Sequence, residues 1–201
     1  MKYAALVFTV SLFVATSALA AGGAETHDGF YLRLTTGLGY ASSSVDAGGS
    51  TVKFSGLSGN TTLGVGWAIF NNFIINADIF GAKMTNPTVT QDGTDMGDAG
   101  GMSLMTYGLG IGVTYYFMPI NIYLTGSVGP AWISAEQGGS SVDSKTGWGI
   151  NAALGKEWWV SANWGLGLAG QFLYTKIPTN ANASSDFGTL SAGLLFTATY
   201  N

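Results

Sequence analysis

A chain of 201 residues suits one domain and leaves little room for a second. Hydrophobic residues make up 47% and charged residues only 9%, too few to solvate an ordinary water-exposed surface, and a net charge of -4 offers no basic face for nucleic acid. Glycine, at 31 residues, argues against a bundle of membrane helices, and the lack of cysteine excludes disulfides and thiolate chemistry.

The first residues read as a targeting segment. Lys2 supplies a positive start, residues 4–15 are apolar, and Ser17-Ala18-Leu19-Ala20 ends in the small-x-small pattern of a cleavage site. The apolar run is shorter than the roughly 20 residues a membrane-spanning helix needs. Residues 1–20 are therefore expected to be a secretory signal peptide, used by the Sec pathway and removed ahead of Ala21.

Beyond it, apolar residues alternate with polar or small ones. In the first run Phe30, Leu32, Leu34, Leu38 and Tyr40 share one face, while Tyr31, Arg33, Thr35, Gly37 and Gly39 share the other. That is the period of a strand lying between two environments. Leu63, Val65, Trp67 and Ile69 mark a second strand, and Phe73, Ile75, Ala77 and Ile79 a third. The fourth sets Tyr107, Leu109, Ile111, Val113, Tyr115 and Phe117 against Thr106, Gly108, Gly110, Gly112, Thr114 and Tyr116. Leu124, Val128 and Trp132 mark the fifth strand, and Ile150, Ala152, Leu154 and Trp158 the sixth. Leu166, Leu168, Phe172 and Tyr174 mark the seventh, and Leu190, Leu194, Phe196 and Tyr200 the eighth. Runs of about ten residues match the ~9–11 of a tilted strand that crosses a bilayer.

Connections alternate as well. Asn71-Asn72, Met118-Pro119-Ile120-Asn121 and Ser161-Ala162-Asn163 are tight, whereas residues 41–59, 83–104, 134–146 and 175–187 read as long polar loops. Short turns at one rim and long loops at the other are the habit of outer-membrane barrels. The pattern predicts an all-β fold, an eight-stranded antiparallel up-and-down transmembrane β-barrel over residues 29–201. Residues 21–28 form a short periplasmic tail, and both ends lie on the short-turn, periplasmic side.

Charge placement supports this. Beyond Lys2, only Arg33, Asp78, Lys156 and Glu157 fall within strands. Parity turns Arg33, Asp78 and Glu157 into the lumen, and Lys156 outward beside a turn, where it reaches the headgroups. Residues 99–135 carry no charge and invite a helical reading, but Gly108, Gly110 and Gly112 at strict alternation suit a strand.

Residues 108–117 (GLGIGVTYYF), 122–130 (IYLTGSVGP) and 155–167 (GKEWWVSANWGLG) resemble the small outer-membrane β-barrel proteins similar to OmpA transmembrane domains, OmpX and OmpW. The resemblance runs along the mature chain and speaks to fold. It implies insertion by the barrel-assembly machinery. Family members usually close on Phe, whereas here the aromatic Tyr200 precedes Asn201.

Motifs for chemistry are sparse. Gly165-x-Gly167-x-x-Gly170 matches a dinucleotide fingerprint only in letters, since it lies within an alternating strand. His27, the sole histidine, precedes the first strand and cannot serve a lipid-modifying enzyme at the opposite rim. Asp92, Asp95 and Asp98 lie on one loop without the spacing of a calcium site. No catalytic, cofactor or metal residues are expected.

The expected features are a lumen charge network of Arg33, Asp78 and Glu157, with Arg33 paired to an acid, and an interfacial girdle. The girdle comprises Phe30, Trp67, Phe73, Tyr115, Phe117, Trp158 and Trp164. Tyr31, Phe80, Tyr116, Tyr123 and Trp159 also point inward and fill space. The expected function is a monomeric outer-membrane barrel with a structural or surface-interaction role, its lumen plugged. Its partners are membrane lipids, lipopolysaccharide and whatever the loops meet; a narrow porin-like channel or carrier for small solutes is the alternative, and an outer-membrane lipid-modifying enzyme the remote one.

Overall fold

The computed structural model describes residues 26–47, 49–178 and 186–201; the expected signal peptide lies outside them. The chain forms β1 (Gly29–Ala47), β2 (Ser50–Phe70), β3 (Phe73–Thr85), β4 (Thr88–Gln91), β5 (Thr94–Asp98) and β6 (Met102–Phe117). It continues with β7 (Ile122–Gln137), β8 (Ser140–Asp143), β9 (Gly147–Trp159), β10 (Trp164–Pro178) and β11 (Asp186–Tyr200).

Eight of these are staves, running β1-β2-β3-β6-β7-β9-β10-β11 and returning to β1. β1 is bonded on both sides, to β2 and to β11, with Leu32 opposite Tyr200 and Val45 opposite Phe187. Closure leaves the wall no unpaired edge, which a bilayer demands because lipid offers no hydrogen bonds.

Three tight turns join staves at one rim. Asn72 and Asn121 take left-handed backbone conformations there, φ 67° and 51°, which asparagine tolerates well. At the other rim three of the expected loops, 41–59, 83–104 and 134–146, are mostly strand. β1 and β2 stay paired until Ala47 meets Ser50, β4 and β5 form a hairpin whose first strand bonds β2, and β8 folds back on β7. Above the lipid a ladder needs no apolar face, so the Ser, Thr and Gly composition that reads as loop conceals continued pairing.

Outward positions along the wall are exposed and apolar, among them Leu38, Ile79, Ile111, Leu154, Leu168 and Leu194. Inward positions are buried, and the lumen is the core. Several inward glycines exist to receive an aromatic ring from the neighbouring stave. Tyr123 lies against its cross-strand partner Gly155, where an added Cβ would meet the ring at 2.5 Å, and Phe80 covers Gly108 at 2.6 Å.

Candidate functional site: the lumen and its two rims

The lumen is filled in layers. At the far rim Ala41, Met84, Leu104, Ile133 and Ile177 form an apolar cluster, with Phe54 and Phe187 packed on it and stacked on each other, centroids 6.3 Å apart. Midway, Asn60 is the hub of a polar belt. Its Nδ2 donates to Gln171 Oε1 and to Ser191 Oγ, both at 3.0 Å, and its Oδ1 accepts from Ser58 Oγ at 2.7 Å. Gln171 Nε2 in turn donates to Thr62 Oγ1 at 2.9 Å and Asn151 Oδ1 at 2.8 Å. The belt ties β2, β9, β10 and β11 together through the barrel interior.

Nearer the short turns Tyr31, Ile74, Tyr116, Tyr123 and Ala169 pack together. Arg33 and Glu157 share this region, and both are buried. Glu157 accepts from Thr197 Oγ1 and Thr199 Oγ1, each at 2.7 Å, and from Tyr116 OH at 3.1 Å. Arg33 lies on aromatic faces, its guanidinium carbon 4.4 Å from the Tyr123 ring centroid and 5.4 Å from that of Tyr31. Asp78, buried as well, accepts from Asn76 Nδ2 at 2.7 Å.

The three charges therefore occupy the lumen, as parity indicates, but Arg33 forms no direct ion pair with either acid. Among the described residues the ion pair within 4.0 Å is Lys176–Asp186, on the outer rim at 3.0 Å. The reason is local. Glu157 is already satisfied by three hydroxyls, and Arg33 stacks on β7 rather than turning toward β3. Arg33, Gly64 and Asp78 are successive partners across β1, β2 and β3, and the Asp78 carboxylate leans over Gly64, 2.7 Å from where a Cβ would sit. Arg33 Nη1 and Asp78 Oδ2 have no hydrogen-bond partner among the described residues.

Below this layer His27 closes the short-turn rim. Its backbone N–H donates to Asn72 Oδ1 at 3.0 Å, and Asn72 N–H donates back to the His27 carbonyl at 2.8 Å. The ring is fully buried, with Nε2 bonded to Asn121 Oδ1 at 2.8 Å and Nδ1 to the Asn201 side-chain amide. It stacks on Tyr116 at 3.4 Å and tilts against Trp159 at 4.8 Å. Burial holds its pKa below the ordinary histidine value, although Asn121 and the nearby Glu157 pull the other way. Sequence reading placed His27 at this rim but missed its insertion, because a three-residue segment ahead of a strand carries no periodicity.

Around the outside, the expected girdle residues all sit at the short-turn end, with contacts such as Phe30–Trp67 at 6.4 Å, Phe73–Tyr115 at 6.5 Å and Tyr115–Phe117 at 4.8 Å. A second girdle, missed in the sequence, lies ten positions away: Tyr40, Tyr107, Trp132, Trp148 and Tyr174, with Tyr107 stacked on Trp132 and Trp148 edge-on to Tyr174. The spacing from Phe30 to Tyr40, Trp148 to Trp158 and Trp164 to Tyr174 is the legible signal. Ten residues on strands tilted by about 40° rise about 25 Å, the height of the apolar band of such barrels. An exposed apolar belt of that height, rimmed by aromatics, is stable in lipid and not in water.

The fold is that of a membrane-spanning eight-stranded β-barrel.

The barrel is similar to the crystal structure of neisserial surface protein A, at 21% identity and TM-score 0.48, over 84% of this chain and 96% of that one. It is similar to Ail, the attachment invasion locus protein of Yersinia pestis, at 14% identity and TM-score 0.44, over 85% and 99%. It is similar also to outer membrane protein OprG from Pseudomonas aeruginosa, at 10% identity and TM-score 0.48, over 89% and 100%. No protein-family model and no curated protein sequence matches the chain.

Asp92, Asp95 and Asp98 sit on the β4–β5 hairpin and its turn, each committed locally: Asp92 accepts from Thr51 N–H, Asp95 from Gly97 N–H and Asp98 from Thr88 Oγ1, all at 2.8 Å. Among the described residues no group of three His, Cys, Asp or Glu side chains converges as a metal site.

Proposed function

We propose that this chain is an integral outer-membrane barrel whose lumen is closed, and that its role is structural and surface-presenting. The supporting observation is the stacking of three closures along the axis: the His27 stopper, the Asn60–Gln171 belt and the far apolar cluster. Each places buried, hydrogen-bonded or close-packed side chains in the interior, and eight staves enclose only as much space as such side chains fill. The short-turn rim faces the periplasm, and the hairpins of β1–β2, β4–β5 and β7–β8 stand outside. There they meet lipopolysaccharide or other surface partners, as loops on a rigid scaffold commonly do. Insertion by the barrel-assembly machinery belongs to the same reading.

A narrow channel is the second reading. It is favoured by Arg33 Nη1 and Asp78 Oδ2, which present unpaired polar atoms to the lumen. Solute flux separates the two. Liposomes loaded with the folded chain should swell in small sugars or amino acids no faster than empty ones; swelling that scales with protein content supports the channel.

A further inference from the structure

We propose that the outer wall carries a binding groove for an anionic phospholipid, floored by Gly170 and closed at its headgroup end by Lys156. Gly170 faces lipid from β10 without a side chain and lines an indentation of the wall. Its cross-strand partners are Leu154 on β9 and Leu194 on β11. Leu168 and Phe196 continue the walls toward the short-turn rim, and the groove encloses about 460 Å³. One row nearer the rim, Lys156 pairs with Leu168 and also lines the groove.

Charge selects the occupant. Among the described residues Lys156 is the one charged side chain on the lipid-facing wall between the girdles, because Arg33, Asp78 and Glu157 point inward. Its ammonium stands 5.3 Å from the Trp158 ring centroid and donates one hydrogen bond, to the Ile120 carbonyl of the neighbouring turn. An ammonium has three donors, so two remain for a phosphate. Packing rather than hydrophobic transfer drives association within a bilayer, so an indentation matched to acyl methylenes beside a cation discriminates where a smooth wall cannot. A second indentation of the wall, of about 540 Å³ at Pro130, has no basic residue in its lining and offers no such selection. The leaflet follows from the proposed orientation, which places Lys156 on the periplasmic side among glycerophospholipids; the groove itself does not depend on whether the lumen conducts.

The folded full chain, released from nanodiscs holding equal phosphatidylglycerol and phosphatidylcholine, is analysed by native mass spectrometry for retained lipid. Heat-modifiable gel mobility confirms folding of each variant. Phosphatidylglycerol should be retained about fivefold over phosphatidylcholine, the ratio one lysine near an anionic surface confers. Lys156→Gln should abolish the preference, and Gly170→Leu, whose Cβ meets no protein atom within 4 Å, should fill the groove and lower retention of both lipids. Gly126→Leu, at another outward glycine with open space around it, should change neither. Equal retention by the wild type, or a Gly170→Leu chain that retains lipid like the wild type, overturns the proposal. So does displacement of phosphatidylglycerol by added lipopolysaccharide with the Lys156→Gln chain unaltered. None of these outcomes bears on the flux test of the closed lumen.

Discussion

His27 and Tyr116 lie ring on ring, centroids 3.4 Å apart and planes within 15°, and the Tyr116 hydroxyl continues to the Glu157 carboxylate at 3.1 Å. The stopper of the short-turn rim and the first charged layer of the lumen are thus one structure. A buried neutral imidazole must be charged on acidification, and that couples the rim to pH. The folded pKa lies below the unfolded value of about 6.5, so the neutral ring's contribution is complete above that value. It is lost progressively as pH falls below it, toward the depressed folded value. Urea unfolding of the barrel in detergent should show stability declining as pH falls below about 6.5, and His27→Gln should flatten that segment of the profile. An unchanged slope in the variant would remove His27 from the account.

Arg33 and Glu157 should behave as a coupled pair although they do not touch. Arg33→Met removes a buried guanidinium from the faces of Tyr123 and Tyr31 in the layer that also holds Glu157, a loss of about 2 kcal/mol. Leu32→Ala, on the lipid face, should cost less. The double variant Arg33→Met/Glu157→Gln should be more stable than the sum of the single effects implies. Simple additivity would mean that each charge is solvated on its own.

Arg33→Lys should not restore the wild type. The planar guanidinium lies over Tyr123, and an ammonium reproduces the charge without the stacking surface. Full rescue by lysine, read from the same urea midpoints, would show that charge alone matters at this position.

Gly155 and Gly126 make a contrast within adjacent staves. Gly155→Val drives a side chain into the Tyr123 ring and should cost about 1–3 kcal/mol, while the Cβ of Gly126→Val meets no atom within 4 Å and that change should be near neutral. Equal effects would mean that backbone flexibility, rather than the seat for Tyr123, explains the inward glycines.

The staves and their faces were legible because lipid on one side and a packed lumen on the other impose period two on every strand. That is why Arg33, Asp78 and Glu157 could be turned inward from parity alone. Their partners could not be read. Which rows meet across the lumen depends on the stagger between staves, which no local pattern encodes, so the expected Arg33 ion pair gave way to the Tyr123 face. The continuation of β1 and β2 to Ala47 and Ser50 was obscured by composition, since strands above the lipid lose their apolar alternation. The far girdle was within reach, given the ten-residue step from Phe30 to Tyr40. His27 was not, because its burial depends on Asn72, Asn121 and Asn201 arriving from three distant parts of the chain.

Closure of the lumen is tested most directly by single-channel recording of the folded full chain in a planar bilayer, at neutral pH and high salt. The layered plug predicts a flat baseline, with no recurrent steps of uniform size over prolonged recording. Stable, uniform conductance steps that scale with the protein added would contradict it. They would assign the path past Arg33 and Asp78 to a pore.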